Sequence, residues 1–405
     1  MKIFEFTKKI VSKSKSRLRA IFEYGRDIPQ LLDIRKKVKN TKKEGKMSIV
    51  IELQTTNEFF YLKPVIGDLL KKGHFIFFTV RKKLRGAIIE LTEEEFKNYS
   101  LKIIDISFTK KLPPVDFYIN ATLSYDIEVP ENARYKISFP HTITSKTKYD
   151  VFSPSIEKIS DFFVTGEVFL KDIETFCKDF NIKKIPKFHK IGCPKSDVIF
   201  GLKVDKKEFI KKIGLDPELP TVFYAPTWNP DTSIFTWRDE ILSLTKRYRI
   251  NMIVKVHPGA YIDPTNKKSS GGIDWKTFLE SENLKKNRVV NAYQTDSPEY
   301  IAASDITITD ISTIWIEYYF LKKPIIFLDI PKFFATHEKN SLGDFRDTYG
   351  YLVKTPNELD KILENIINKK IQPRNPPNIE DRLLYNKGHA TREAVKKIEE
   401  LFLIK

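Results

Sequence analysis

Residues 305 to 329, DITITDISTIWIEYYFLKKPIIFLD, constrain the fold of this chain more than any other stretch. Ile306 to Thr309 alternates as a buried strand, Asp310, Ser312 and Thr313 follow at its carboxyl end, and Ile314 to Leu321 has helical spacing with Glu317 inside it. Pro324 to Asp329 then returns as a second strand, so the unit reads strand, polar turn, helix, strand. Such a junction offers backbone N–H groups, the positive end of a helix dipole and two hydroxyls at one point, which suits an anionic phosphate. Asp310 also has a purely structural reading, because Asp is a favoured helix N-cap.

Other strands and helices alternate around this unit. Strands are expected at Ser48–Leu53, His74–Val80, Leu101–Ile106, Asp116–Ala121, Tyr135–Phe139, Asp161–Thr165 and Lys187–Ile191. Helices are expected at Asn57–Lys72, Thr92–Tyr99 and Glu167–Phe180. After a linker, Gly192 to Pro220, with a short basic helix at Lys206–Lys212, the alternation restarts. Strands Thr221–Ala225, Asn251–Val256, Arg288–Ala292 and Gly350–Val353 then flank the opening unit. Helices Thr236–Arg247, Trp275–Asn283, Pro298–Ser304 and Glu358–Ile367 intervene, with a Gly/Ser/Lys-rich loop at Asp263–Gly272. A Pro-rich stretch precedes a last helix, Thr391–Leu403, expected to pack back on the first domain. This pattern specifies an α/β chain with two Rossmann-like domains facing a cleft. The expected division is a leader 1–46, a first domain 47–196, a second domain 197–380 and a C-terminal helix within 381–405. No GxGxxG or GxxxxGK[ST] follows any strand, which disfavours dehydrogenases and kinases.

A length of 405 residues agrees with two domains. No apolar run reaches the roughly 18 residues of a membrane span, and MKIFEFTKKIVSKSKS lacks the apolar core of a signal peptide, so a cytoplasmic chain is expected. Cys177 and Cys193 have neither CxxC nor Cys/His spacing, so no disulfide framework or zinc site is expected. The net charge of +17 is unevenly distributed. Residues 1 to 47 hold fifteen Lys or Arg against five Asp or Glu. Among them Ile3, Phe4, Phe6, Ile10, Val11, Leu18, Ile21 and Phe22 recur at roughly helical spacing, which suits an amphipathic helix on an anionic membrane surface. A solvated basic helix or a disordered leader is the plainer alternative. Nucleic acid is not expected as a partner, since no aromatic-basic module accompanies the charge.

Four polar clusters fall at strand ends, where open α/β sheets bind ligands. They are Phe139-Pro140-His141-Thr142, Tyr224-Ala225-Pro226-Thr227-Trp228, Lys255-Val256-His257-Pro258 and the opening unit. Each has a structural reading alone: a backbone-satisfied histidine, a proline-ended strand with a core tryptophan, a solvated Lys/His pair, a capped helix. Their order, APTW, K-x-HP, ITD-x-S-T, E, KKP, resembles the CDP-glycerol glycerophosphotransferase family, whose architecture is similar to GT-B glycosyltransferases. Gly192-Cys193-Pro194-Lys195-Ser196-Asp197 and Tyr385-Asn386-Lys387-Gly388-His389-Ala390 extend the resemblance, which runs from about His141 to the C-terminus. Two departures stand out: Thr142 follows His141 where the family usually has Gly, and Lys387-Gly388-His389 replaces the commoner Asp-Gly-Lys.

The resemblance implies transfer of a polyol phosphate, glycerol phosphate first and ribitol phosphate as an analogue, from a CDP-activated donor. The acceptor would be a hydroxyl of a polyprenyl-linked saccharide at the cytoplasmic face of the membrane, with CMP leaving. A GT-B glycosyltransferase using a UDP- or CMP-sugar is the alternative. In this reading the donor phosphates lie at Ser312 and Thr313 and near His257 and Lys255. Pro226, Thr227 and Trp228 line the pocket, Glu317 meets ribose or base, and His141 is the general base. Asp310 is expected to cap the helix rather than touch ligand, and His257 to act as an imidazolium. No cofactor is implied, and no carboxylate cluster points to a dedicated metal site.

Overall fold

The computed structural model describes residues 27–404 except 124–126, 128, 229, 262, 263, 266–269, 294, 295, 375, 377 and 378. The leader residues Ile3 to Phe22 lie outside the described residues, as does much of the loop 263–272.

Runs of Val, Ile and Phe without a polar face make strands that must be covered on both sides, and the chain builds two parallel sheets from them. The first has seven strands: β1 (Ser48–Leu53), β2 (Phe75–Val80), β3 (Lys102–Asp105), β4 (Phe117–Asn120), β5 (Tyr135–Ser138), β6 (Asp161–Val164) and β7 (Lys187–Lys190). The second has six: β8 (Thr221–Ala225), β9 (Asn251–Val254), β10 (Val289–Asn291), β11 (Ile306–Thr309), β12 (Ile325–Leu328) and β13 (Tyr351–Val353). The strand orders are β3-β2-β1-β4-β5-β6-β7 and β10-β9-β8-β11-β12-β13. Each order reverses once, between β1 and β4 and between β8 and β11. Ile49 lies beside Phe117 at the first reversal and Ile308 beside Tyr224 at the second.

Alternate residues of a strand serve opposite faces of its sheet. Ile49, Ile51 and Leu53 of β1 join one apolar cluster and Val50 another; Val222 and Tyr224 of β8 oppose Phe223 and Ala225 in the same way. Helix Asp27–Lys43 turns Leu31, Ile34 and Val38 onto the first sheet and leaves Ile28 and Leu32 exposed on its outer side. Helix Ala390–Leu403 lays Ala394, Val395, Ile398 and Leu401 on the opposite face of that sheet. Burying Ile398 and Leu401 there contributes about 2 kcal/mol each.

The return of the C-terminus is seated by Gly192 and Asp197. Gly192 has φ +96°, and a Cβ there would lie 2.1 Å from the Tyr385 carbonyl oxygen, so only glycine admits the crossing chain. Asp197 Oδ2 accepts from Thr391 N at 2.6 Å, close to the start of the last helix. The halves also meet directly: Asn340 Nδ2 donates to Ser145 O at 2.6 Å and Ser341 N to Asp172 Oδ1 at 2.8 Å.

Two local expectations are corrected. The helix expected at 92–99 is Arg85–Glu95, because Ile88, Thr92 and Phe96, four apart, supply the buried stripe and Phe96 ends it. The helix expected at 275–283 is two, Trp275–Leu279 and Glu282–Lys286, broken at Ser281. Residues 196 and 197 lie in helix Pro194–Gly201, which packs on helices Thr56–Lys71, Pro298–Ala303 and Ala390–Leu403.

Candidate active site

The two sheet reversals face one cleft. His141, Thr142, Lys146 and Asp150 from the first half and Pro226, Thr227, Lys255, His257, Ser312, Thr313 and Glu317 from the second line a single cavity of about 150 Å³. Thr142 Oγ1 and Thr313 Oγ1 lie 3.3 Å apart across it. Trp228 stands behind this lining, stacked on His257 with ring centroids 5.3 Å apart and planes 13° from parallel.

On the first half, β5 ends at Ser138, and Pro140 delivers His141 to the cleft. His141 Nδ1 lies 2.8 Å from Ala121 O and 3.1 Å from Thr122 Oγ1, both at the end of β4. A carbonyl only accepts, so Nδ1 carries the proton and Nε2 is left as a base. Thr122 Oγ1 in turn donates to buried Glu58 Oε1 at 2.6 Å. Burial raises the Glu58 carboxyl pKa, and the charge of His141 opposes that rise.

On the second half, Thr307 and Thr309 of β11 donate their hydroxyls to Phe223 O and Ala225 O, which explains threonine in a fully buried strand. Asp310 follows, and its expected role is corrected. Helix Ile314–Phe320 has Thr313 as its N-cap, without a side-chain cap bond. The Asp310 carboxylate instead crosses the reversal and accepts from Thr227 N, Ser233 N, Ser233 Oγ and Ile311 N at 2.6 to 3.2 Å. The physical reason is position: three residues separate Asp310 from the first helical turn, whereas the loop after β8 is adjacent. This clamp leaves Thr227 Oγ1 buried in the cleft wall without a hydrogen-bond partner among the described residues.

The expected imidazolium at His257 is also corrected. Gly259 N donates to His257 Nδ1 at 3.0 Å, so Nδ1 accepts and the ring proton sits on Nε2. Burial, followed by the charges of Lys146, His141 and Lys255, holds its basicity far below the usual imidazole range. His257 is a neutral donor. Lys255 donates to Ala292 O at 3.2 Å, and burial together with the Lys195 charge pushes its ammonium down to about 8. Burial pushes the Glu317 carboxyl up to about 7, opposed by Lys195 and reinforced by Asp296.

Lys195, Tyr61, Glu58 and Thr122 belong to this site and escaped the sequence reading of site residues. Lys195 Nζ lies 4.8 Å from the Tyr61 ring centre and 3.9 Å from Asp296 Oδ1, and Tyr61 meets His141 edge-on at 6.5 Å. The signal for Lys195 was its place in the Gly192–Asp197 motif. Among the described residues no group of three or more His, Cys, Asp or Glu is placed to hold a metal ion. Cys177 and Cys193 are both free and buried.

Residues 155–399 match the profile of the family described as CDP-Glycerol:Poly(glycerophosphate) glycerophosphotransferase. A teichoic acid poly(glycerol phosphate) polymerase of Bacillus spizizenii is 24% identical over 280 residues, covering 65% of this chain and 64% of the relative. The chain thus spans somewhat under two thirds of that relative's length. Among solved structures, a variant of the wall teichoic acid polymerase TagF superposes with TM-score 0.63 at 14% identity, covering 97% of this chain and 98% of the other. A UDP-N-acetylglucosamine 2-epimerase superposes with TM-score 0.53 at 12% identity, over 87% and 95% of the two chains. These superpositions show a shared GT-B-like α/β fold.

Proposed function

We propose that this chain, which belongs to the CDP-glycerol:poly(glycerophosphate) glycerophosphotransferase family, transfers glycerol phosphate from CDP-glycerol to an acceptor hydroxyl and releases CMP. The observation that carries the reading is the convergence of His141 with Thr227, Lys255, His257, Ser312 and Thr313 on one cavity at two sheet reversals. A solved structure of a TagF variant with CDPG supports the same donor.

In this mechanism the acceptor hydroxyl approaches from the His141 side. His141 Nε2 takes its proton while its oxygen attacks the glycerophosphoryl phosphorus. The phosphoanhydride P–O bond breaks, and its electron pair leaves with CMP. Ser312, Thr313 and Thr227 hydroxyls, the His257 Nε2–H and the ammonium groups of Lys255 and Lys195 hold the pyrophosphate and the charge that grows on CMP. Fixed donors in a closed cleft are more effective there than water, since they need no reorganisation. Glu317 stands by the ribose or base of the donor.

The acceptor in this proposal is a lipid-linked saccharide of teichoic-acid or capsule type, and the basic leader holds the protein to the cytoplasmic face of the membrane. Just after the leader in sequence, Ile28 and Leu32 are 52% and 59% exposed on helix Asp27–Lys43. Since that helix is needed by the first sheet, the informative truncation removes residues 1–26 only. It is expected to release the protein from phosphatidylserine vesicles, and retained binding would sink the membrane reading.

The deciding experiment supplies CDP-glycerol, CDP-ribitol or a UDP-sugar with a lipid-linked disaccharide and measures CMP and UDP. CMP release from CDP-glycerol is expected, with His141→Ala losing about 10²- to 10⁴-fold in kcat. UDP release instead would establish the glycosyltransferase alternative, and a near wild-type His141→Ala would remove the assigned base.

A further inference from the structure

We propose that Glu58 and Thr122 are positioning residues for His141, a carboxylate-hydroxyl relay that keeps the ring proton on Nδ1 and aims Nε2 into the cleft. The inference rests on the reading of His141 as the base. Threonine has a single hydroxyl proton, and Thr122 Oγ1 lies 2.6 Å from Glu58 Oε1, which as a carboxylate oxygen accepts it. The hydroxyl can then meet His141 Nδ1, 3.1 Å away, only as an acceptor. The Ala121 carbonyl, 2.8 Å from the same nitrogen, makes the same demand. Two acceptors on one nitrogen leave a single tautomer.

A local role accounts for half of Glu58. Thr55 is the N-cap of helix Thr56–Lys71, and Glu58 Oε2 accepts from Gln54 N at 2.7 Å in the manner of a capping box. Its other oxygen, Oε1, accepts from Thr122 Oγ1. It reaches across the reversal between β1 and β4 to a residue 64 positions away, and the whole side chain is buried. A buried carboxylate aimed at a hydroxyl that touches the cleft histidine has a chemical use. When the acceptor proton arrives on Nε2, His141 becomes imidazolium with both nitrogens protonated. Glu58, still ionised, stabilises that charge through Thr122. The new O–P bond forms and the electron pair of the broken bond leaves on CMP, so Glu58 takes no proton at any stage.

The test uses the full chain with CDP-glycerol and lipid-linked acceptor, and compares Thr122→Val, Thr122→Ser, Glu58→Gln and His141→Ala. Thr122→Val keeps the shape and loses the hydroxyl. It is expected to lower kcat about tenfold, a part of the full base contribution, while KM for CDP-glycerol stays within about twofold. Thr122→Ser is expected to recover most of that loss, and Glu58→Gln to fall to a similar level. Combined with His141→Ala, Thr122→Val is expected to add nothing further, because the relay acts only through the imidazole. Nitrogen-15 shifts of His141 report the tautomer directly, with mixed Nδ1–H and Nε2–H populations expected in Thr122→Val. A Thr122→Val enzyme within twofold of wild type, or one whose loss adds fully to that of His141→Ala, overturns the relay. If that happens while His141→Ala alone is inactive, the relay falls and the base reading stands. If His141→Ala is itself active, both fall.

Discussion

Each sheet reversal is bridged by a buried carboxylate, Glu58 from the β1 side of the first and Asp310 from the β11 side of the second, and the two are used differently. At the second reversal Asp310 is bonded to three backbone N–H groups and one serine hydroxyl, all of which belong to the loops it joins. At the first reversal Glu58 gives one oxygen to Gln54 N and the other to Thr122, whose oxygen meets a ring nitrogen of His141. A carboxylate saturated mainly by backbone donors fixes the stretch of cleft wall that carries Thr227. A carboxylate that ends on a hydroxyl next to an imidazole reaches His141, the base of the proposed mechanism. The comparison teaches that a carboxylate bridging a sheet reversal fixes a loop in one half and reaches the cleft histidine in the other.

The largest effect that tests this contrast is on stability. Asp310→Ala strands buried donors from both sides of the reversal and is expected to cost about 3 kcal/mol or more in urea unfolding. Glu58→Gln keeps its shape and is expected to cost about 1 kcal/mol while losing turnover. The reverse order, with Glu58→Gln the more damaging to stability, would break the comparison.

A smaller effect comes from Glu317. Its folded-state pKa is raised to about 7, so between the unfolded value and that point the folded chain holds a proton that the unfolded chain has released. Its contribution to stability is therefore complete at low pH and is lost as pH rises to about 7. Glu317→Gln has no such loss, and is expected to be about 3 kcal/mol more stable than wild type at pH 8 and about equal to it near pH 4, by thermal or urea unfolding. An equal difference at both pH values would show that Glu317 pays no buried-charge cost.

The smallest effect concerns donor binding. The Lys255 ammonium, lowered to about 8, loses its charge as pH rises through that value, so KM for CDP-glycerol is expected to rise severalfold between about pH 7 and pH 9. Lys255→Arg keeps its charge over this range and is expected to flatten the profile. A wild-type profile already flat to pH 9 would place the phosphates away from Lys255.

The strand ends of the site were readable from the chain because proline, threonine and glycine act on their immediate neighbours. Pro226 and Pro258 stop strands, and the 305–329 unit carries its own turn. Glu58 was legible only as the fourth residue of Thr55-Thr56-Asn57-Glu58, a local capping pattern, since the partner of its second oxygen lies far along the chain. Asp310 was misread for a related reason: its distance from the helix start looks like a cap, and nothing local announces Thr227 as the competing donor. Likewise the charge of His257 depends on Gly259 N and on burial by the opposite half, which no short window contains.

By itself the sequence determined that there are two parallel sheets and which residues stand at their carboxyl edges, because periodicity and turn chemistry are set within a few residues. The tertiary structure decided which edges meet. The orders β2-β1-β4-β5 and β9-β8-β11-β12 bring Glu58 to Thr122 and Asp310 to Thr227. That pairing is decided by crossover topology and by burial of apolar faces over the whole sheet, and it alone made one carboxylate a clamp between loops and the other a bridge to the cleft histidine.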